Sequence, residues 1–258
     1  MCIRDSFSGL ADLYARHRPG YPPAALDLIA GLFTEDASGP DALLVDVGCG
    51  TGISTRLFAA RGLRVLGIEP NDEMRARAEA APPEGATPPP EYRRGTAEAT
   101  GLPDGVAAGV LAAQAFHWFD APAALAEFHR ILRPGGAVAL LWNERDEADL
   151  CTAAYGAVMR SAPDAAAVEV PRGRAGEALL HSPLFREGRR VCFGNGQALD
   201  EEGLLGRAFS ASYAPRQPEA AAAFADALRR VFARFQQAGK VSLCYQTSVY
   251  LARRREGS

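Results

Sequence analysis

The chain has 258 residues, 48% of them hydrophobic and 23% charged, with a formal net charge of −3 at pH 7; that length supports one large domain or a domain with a small cap. The acidic balance offers no basic field to nucleic acid or an anionic membrane, and no apolar run reaches the roughly 20 residues a membrane helix needs. Five cysteines form no CxxC or Cys/His cluster, which argues against a zinc site or a disulfide framework and fits free thiols in a reducing cytoplasm.

The opening MCIRDS (1–6) reads as an in-frame adapter or cloning scar and is set aside. The remainder, 7–258, reads as one domain: an N-terminal lid and helix (7–40), a core (41–150), and a helical cap with the final strands (151–258). PPAALDLIAGLF (22–33) has helical apolar spacing with proline in its first turn. ALLVDVG (42–48) is a first strand, GISTRLFAARG (52–62) a helix stopped by glycine, and RVLGIEP (64–70) a second strand. NDEMRARAEAA (71–81) is a helix with an Asn cap and acids in its first turn, followed by a loop, PPEGATPPP (82–90).

EYRRGTAEA (91–99) brings a third strand and AAGVLAAQ (107–114) a fourth. PAALAEFHRILRPGG (122–136) is expected as a helix stopped at Pro134, and AVALLWN (137–143) as a fifth strand. This alternation argues for a mainly parallel sheet with helices on both faces. Beyond Asn143, Ala-rich helices over 153–167 and 220–239 flank a strand at RRVCFG (189–194), and VSLCYQTSVYLA (241–252) closes the sheet.

DVGCGTG (46–52) sits where a strand meets a helix. Gly48, Gly50 and Gly52 let backbone turn tightly against a ligand, and the helix start offers free N–H groups. Glu69 closes the second strand about 20 residues on, where a carboxylate can accept both ribose hydroxyls. The loop is DxGxGxG, with an acid ahead of the glycines and no third glycine at the dinucleotide position. That suits a ligand with a cationic amino-acid end better than a pyrophosphate.

With YARHRPGYP, GIEPNDEM, GTAEATGLPDG, AQAFHWFD and LLWNERD in the same order, the chain resembles class I S-adenosylmethionine-dependent methyltransferases, nearest to their trans-aconitate methyltransferase-like branch. The resemblance implies a Rossmann-like seven-stranded sheet whose antiparallel last strand is inserted between its neighbours, and an S-adenosyl-L-methionine cofactor leaving as S-adenosyl-L-homocysteine, with no metal. It implies that Asp46, Gly48, Cys49, Gly50 and Gly52 hold the methionine and sugar end, and that Glu69 holds the ribose. Pro70, Asn71 and Met74 flank the adenine, Ala97 and Glu98 meet its edge, and Gln114 faces the sulfonium. Gly109 stands where the family usually carries Asp.

His117 follows the fourth strand at the ligand-binding edge and is the candidate base; Asn143, after the fifth, is the candidate positioning residue. Tyr14, Arg18, Tyr21, Trp118, Arg145 and Tyr213 are candidates for the substrate pocket, and Ser210 joins them from the cap. Phe116 and Phe119 are expected in the core, and Asp120 as a helix cap. The expected reaction moves a methyl group in line onto a small-molecule acceptor, an oxygen and in particular a carboxylate, which needs no base. A nicotinamide-dependent oxidoreductase, or a module that binds the cofactor without catalysis, are the alternatives. Neither the acceptor nor the oligomeric state is written in the sequence.

Overall fold

The structure is a computed structural model describing residues 18–34, 42–83, 85–167 and 175–256. Tyr14, and with it most of the expected lid, lies outside the described residues. The first helix, α1 (Pro23–Thr34), precedes β1 (Leu43–Val47), α2 (Ile53–Ala59), β2 (Arg64–Ile68), α3 (Asp72–Ala80) and β3 (Glu91–Arg93). Next come β4 (Ala107–Ala113), a 3-10 turn (Phe116–Trp118), α4 (Ala121–Ile131) and β5 (Leu132–Arg145). The cap half contributes α5 (Leu150–Arg160), the single turn α6 (Glu177–Leu180), β6 (Phe185–Leu199), α7 (Glu201–Phe209), α8 (Pro218–Phe235) and β7 (Val241–Arg254).

One seven-stranded sheet runs in the order β3-β2-β1-β4-β5-β7-β6. The strands β1 to β5 pair in parallel, and β7 runs antiparallel between β5 and β6, as the resemblance implies. Successive residues of a strand feed opposite cores, which is why these strands read as unbroken apolar runs. Val45 and Val47 pack with Phe116, Phe128 and Trp142 on one face, while Leu44 packs with Ile29, Phe33 and Phe58 on the other. A third cluster, including Tyr155, Leu204, Leu228 and Tyr245, holds α5, α7 and α8 against the far end of β7. No described helix is long and apolar enough to cross a membrane.

Three boundaries differ from the sequence reading. Helix α4 stops at Ile131, and Leu132 is already extended, with φ −71° and ψ 136°. Pro134 forces Arg133 out of the helical region, so the chain turns into β5 two residues ahead of the proline. Both β6 and β7 are longer than expected, because thirteen register pairs hold them together as one ribbon. The Ala-rich stretch ends as helix at Phe235, and Ala238 and Gly239, with φ 49° and 76°, form the hairpin turn into β7.

The Gly109 departure also has a physical cause. A Cβ at Gly109 would overlap the ring of Phe33, which packs against β4 at this point. The aromatic ring of α1 occupies the space that a side chain at position 109 would need.

Candidate active site

The first βα loop is built as its sequence requires. Gly48, Gly50 and Gly52 have φ of 69°, 56° and 74°, a left-handed region that other residues reach only with strain. A Cβ on Gly48 would lie 2.8 Å from Cβ of Ala115 and 3.0 Å from the ring of Phe119. Behind the loop, Asp46 is wholly buried, and its Oδ2 accepts hydrogen bonds from Ser54 Oγ and Thr55 Oγ1, both at 2.7 Å. Its Oδ1 has no hydrogen-bond partner. Burial raises the Asp46 carboxyl from 3.8 to about 6, against the lowering pull of the two hydroxyls.

Glu69 ends β2 facing the loop. Its Oε2 accepts from Gly50 N and its Oε1 from Asn71 N, each at 2.9 Å. One lone-pair direction on each oxygen is thus spent on fixing the carboxylate, and the others face a cavity. Burial raises the Glu69 carboxyl above its ordinary value, with both backbone N–H groups opposing the rise. Asn71 caps α3 by accepting from Met74 N at 2.9 Å, which seats Met74 under the loop. The thiol of Cys49 is pushed well above its usual range by burial first, and by Asp46 and Glu69; it is a packing group against Gly67.

A cavity of about 360 Å³ opens over this cradle. Gly48, Cys49, Gly50, Glu69, Pro70, Asn71, Met74, Ala97, Glu98 and Gln114 all line it. Asp46 and Gly52 do not: the first braces the loop from behind, and the second caps α2 with its own backbone. Glu98 also ties the wall together, accepting from Asp120 N at 3.0 Å, while Asp120 caps α4 as expected. Gln114 holds a positive φ of 57°, pinned by its N–H donating to Leu141 O at 2.8 Å. Such backbone strain is characteristic of functional positions.

The same cavity continues past Gln114 to an acceptor end walled by Arg18, Pro19, Tyr21, Trp118, Phe119, Asn143 and Arg207. The candidate base His117 is not on this wall. It stands behind it, where Trp142 Nε1 donates to its Nδ1 at 3.4 Å. Asn143 does reach the cavity, but its amide is occupied. Its Nδ2 donates to Gly20 O at 3.0 Å, and its Oδ1 accepts from Thr247 Oγ1 at 2.6 Å and Asn195 Nδ2 at 3.2 Å. It latches the Pro19–Gly20 segment onto the sheet and positions the cavity wall.

Arg145 and Tyr213 also lie off the wall. Arg145 approaches Glu147 at 3.6 Å, and Arg145 and Tyr213 belong to the electrostatic surroundings of buried Tyr155. Ser210 is buried too; its carbonyl accepts from Arg18 Nη2 at 3.3 Å, joining the amino-terminal segment to the cap. Phe119, expected in the core, has one edge on the cavity. Sequence reasoning did not single out Pro19, Thr51, Ile53, Ser54, Thr96, Ala113, Ala115 and Arg207 among the lining residues. Thr51 and Ser54 lie inside or just after the motif and were within reach; Arg207 carried no signal, being one basic residue in a cap helix.

The loop fits S-adenosylmethionine. Three glycines leave the cradle open, the unpartnered Thr51 Oγ1 on the wall supplies polar capacity, and Glu69 has lone pairs left for a ribose. Among the described residues, no cluster of three or more His, Cys, Asp or Glu side chains is placed to hold a metal ion.

Residues 45–140 match the model of a methyltransferase domain family. An uncharacterised methyltransferase of Mycobacterium tuberculosis is 39% identical over 142 residues, 55% of this chain and 54% of that one. The chain thus spans about half the length of the curated relatives it matches first. An uncharacterised methyltransferase-like protein of Schizosaccharomyces pombe is 28% identical over 92% of this chain and 91% of its own. The crystal structure of the YcgJ protein of a Bacillus superposes with a TM-score of 0.57 at 17% identity, covering 91% of this chain and 99% of that one; it shares the fold.

Proposed function

We propose that the chain is a class I S-adenosylmethionine-dependent methyltransferase, as its methyltransferase-domain match, its methyltransferase relatives and its fold support, and that it methylates an oxygen of a small-molecule acceptor, a carboxylate above all. One observation carries this reading: a single cavity joins the glycine loop and Glu69 to an acceptor end whose charged wall residues, Arg18 and Arg207, are cations. S-adenosylmethionine, when bound, supplies a methyl group on a positively charged sulfur.

The backbone of Gly48–Gly50 and the carboxylate of Glu69 would hold its sugar and amino-acid end, and Pro70, Asn71 and Met74 would enclose the base. Gln114 and Trp118, both on the cavity wall, would help keep water from the line of attack. S-adenosylmethionine held by this cradle would supply its methyl group to an acceptor oxygen placed at the end walled by Arg18 and Arg207. A carboxylate nucleophile has no proton to lose. That agrees with the wall, on which no described residue is a histidine or lysine. A phenol or amine would need a base within hydrogen-bond reach.

The test has two arms. Calorimetry with S-adenosylhomocysteine should show micromolar binding, lost in Glu69→Ala. Metabolite extract incubated with methyl-labelled S-adenosylmethionine should yield a labelled methyl ester, released as methanol by mild base. A base-stable labelled product would move the reaction to a phenol, amine or carbon acceptor, and absence of binding would remove the cofactor reading.

A further inference from the structure

Arg207 is the anomaly of the cap. It sits in the last turn of α7 with only 6% of its surface exposed, and it reaches the acceptor end of the cavity. Among the described residues no carboxylate lies within ion-pair distance: its Nη1 has a long 3.5 Å contact with Ser210 Oγ, and its Nε has no hydrogen-bond partner there. Two phenols share this environment. Tyr155 on α5 and Tyr245 on β7 are 0% and 2% exposed, and neither hydroxyl has a hydrogen-bond partner. Both act electrostatically on Arg207, and the Tyr245 hydroxyl stands at the edge of hydrogen-bond reach of its side chain without completing a well-formed bond. Three elements therefore bring unsatisfied buried donors together around one guanidinium.

Native interiors rarely leave such groups unpaired, since each unmade hydrogen bond costs about 1–3 kcal/mol and an uncompensated buried charge costs more. A cap needing only packing would have an apolar residue at position 207, as at its neighbours Leu204 and Ala208, both 0% exposed. The charge is kept where it weakens the fold, beside a cavity.

We infer that Arg207 is the specificity-determining residue of the acceptor site, binding the carboxylate of an organic acid. This rests on the carboxylate-methyltransferase reading above and adds the side chain that reads the acceptor's charge. The guanidinium supplies N–H donors in the fixed fork that matches a carboxylate. The Ser210 carbonyl that accepts from Arg18 lies at the end of the same helix, so the second cation of the wall is held beside the first. A neutral ester product loses the charge that held the acid, which favours its release.

The prediction couples stability to function with opposite signs. Arg207→Met removes an unpaired buried charge while keeping an unbranched side chain, so the melting temperature should rise without ligand. S-adenosylhomocysteine affinity should stay within about twofold of wild type, because the cofactor cradle lies on other elements. With that product bound, a panel of C3–C8 mono- and dicarboxylates should raise the melting temperature of the wild type. The matching primary amides should not, and neither set should stabilise Arg207→Met. Arg207→Lys should recover part of the acid response. A lower melting temperature for Arg207→Met makes the arginine structural and overturns the inference. So does an acid response that survives in that variant, or amides acting as well as acids, or a wild type that no acid stabilises. Loss of S-adenosylhomocysteine binding by the wild type itself would instead strike the underlying cofactor reading.

Discussion

Asp46→Asn removes a charge that the fold holds in the wrong place for stability. The carboxyl is fully buried behind the glycine loop, and burial carries it from 3.8 to about 6. Between those values the folded chain holds a proton that the unfolded chain releases, so stability falls as pH rises. Above about pH 7 the buried carboxylate costs about 3 kcal/mol, near pH 4.5 about 1 kcal/mol, and well below pH 3.8 nothing. Asparagine has the same shape and keeps an oxygen for Ser54 and Thr55, but does not titrate.

The stability of Asp46→Asn relative to wild type should therefore improve by about 2 kcal/mol between pH 4.5 and pH 7.5. Glu69 is raised as well, but it is present in both proteins, so the difference between the two curves reads Asp46. Urea unfolding followed by the fluorescence of Trp118 and Trp142, extrapolated to water at each pH, gives that difference. Parallel curves, or a variant that loses ground as pH rises, would refute the placement of Asp46 as a buried carboxylate without a counter-charge.

Glu69→Gln keeps the size of the side chain but loses the charge and one acceptor site, and calorimetry should show S-adenosylhomocysteine bound at least about tenfold more weakly. His117→Ala should lower kcat by less than about tenfold, whereas loss of a general base costs about a hundredfold or more; a drop of that size would return His117 to the chemistry. Gly109→Ala should cost about 1–3 kcal/mol in urea unfolding through overlap with Phe33. In the Gly109→Ala, Phe33→Ala double variant the two losses should be less than additive, and strict additivity would show that the ring is not what excludes a side chain.

The cofactor cradle was legible because its parts are local. The loop of 46–52, the strand-end Glu69 and the Asn71 cap lie within 26 residues of one another, and each obeys a rule of backbone geometry. The insertion of β7 between β5 and β6 came from resemblance rather than from any periodicity. The acceptor end was legible only in part. Arg18, Tyr21 and Trp118 were expected there and line it, but nothing in EEGLLGRAF distinguishes Arg207 from a solvated helix residue. Its meaning depends on Tyr155 and Tyr245, which reach it from other elements of the cap and sheet. The placing of His117 and Asn143 shows a related limit of the sequence. Each stands at the correct edge of the sheet, but its hydrogen bonds are committed to Trp142 in one case and to Gly20, Asn195 and Thr247 in the other.

The Asn143 latch has a consequence for how such a protein diversifies. One amide joins a segment that precedes the sheet, the fifth strand and the two strands of the terminal ribbon, while the cradle is drawn almost wholly from the first half of the chain. Substitutions in the ribbon or the cap can therefore reshape what is accepted without disturbing what donates the methyl group.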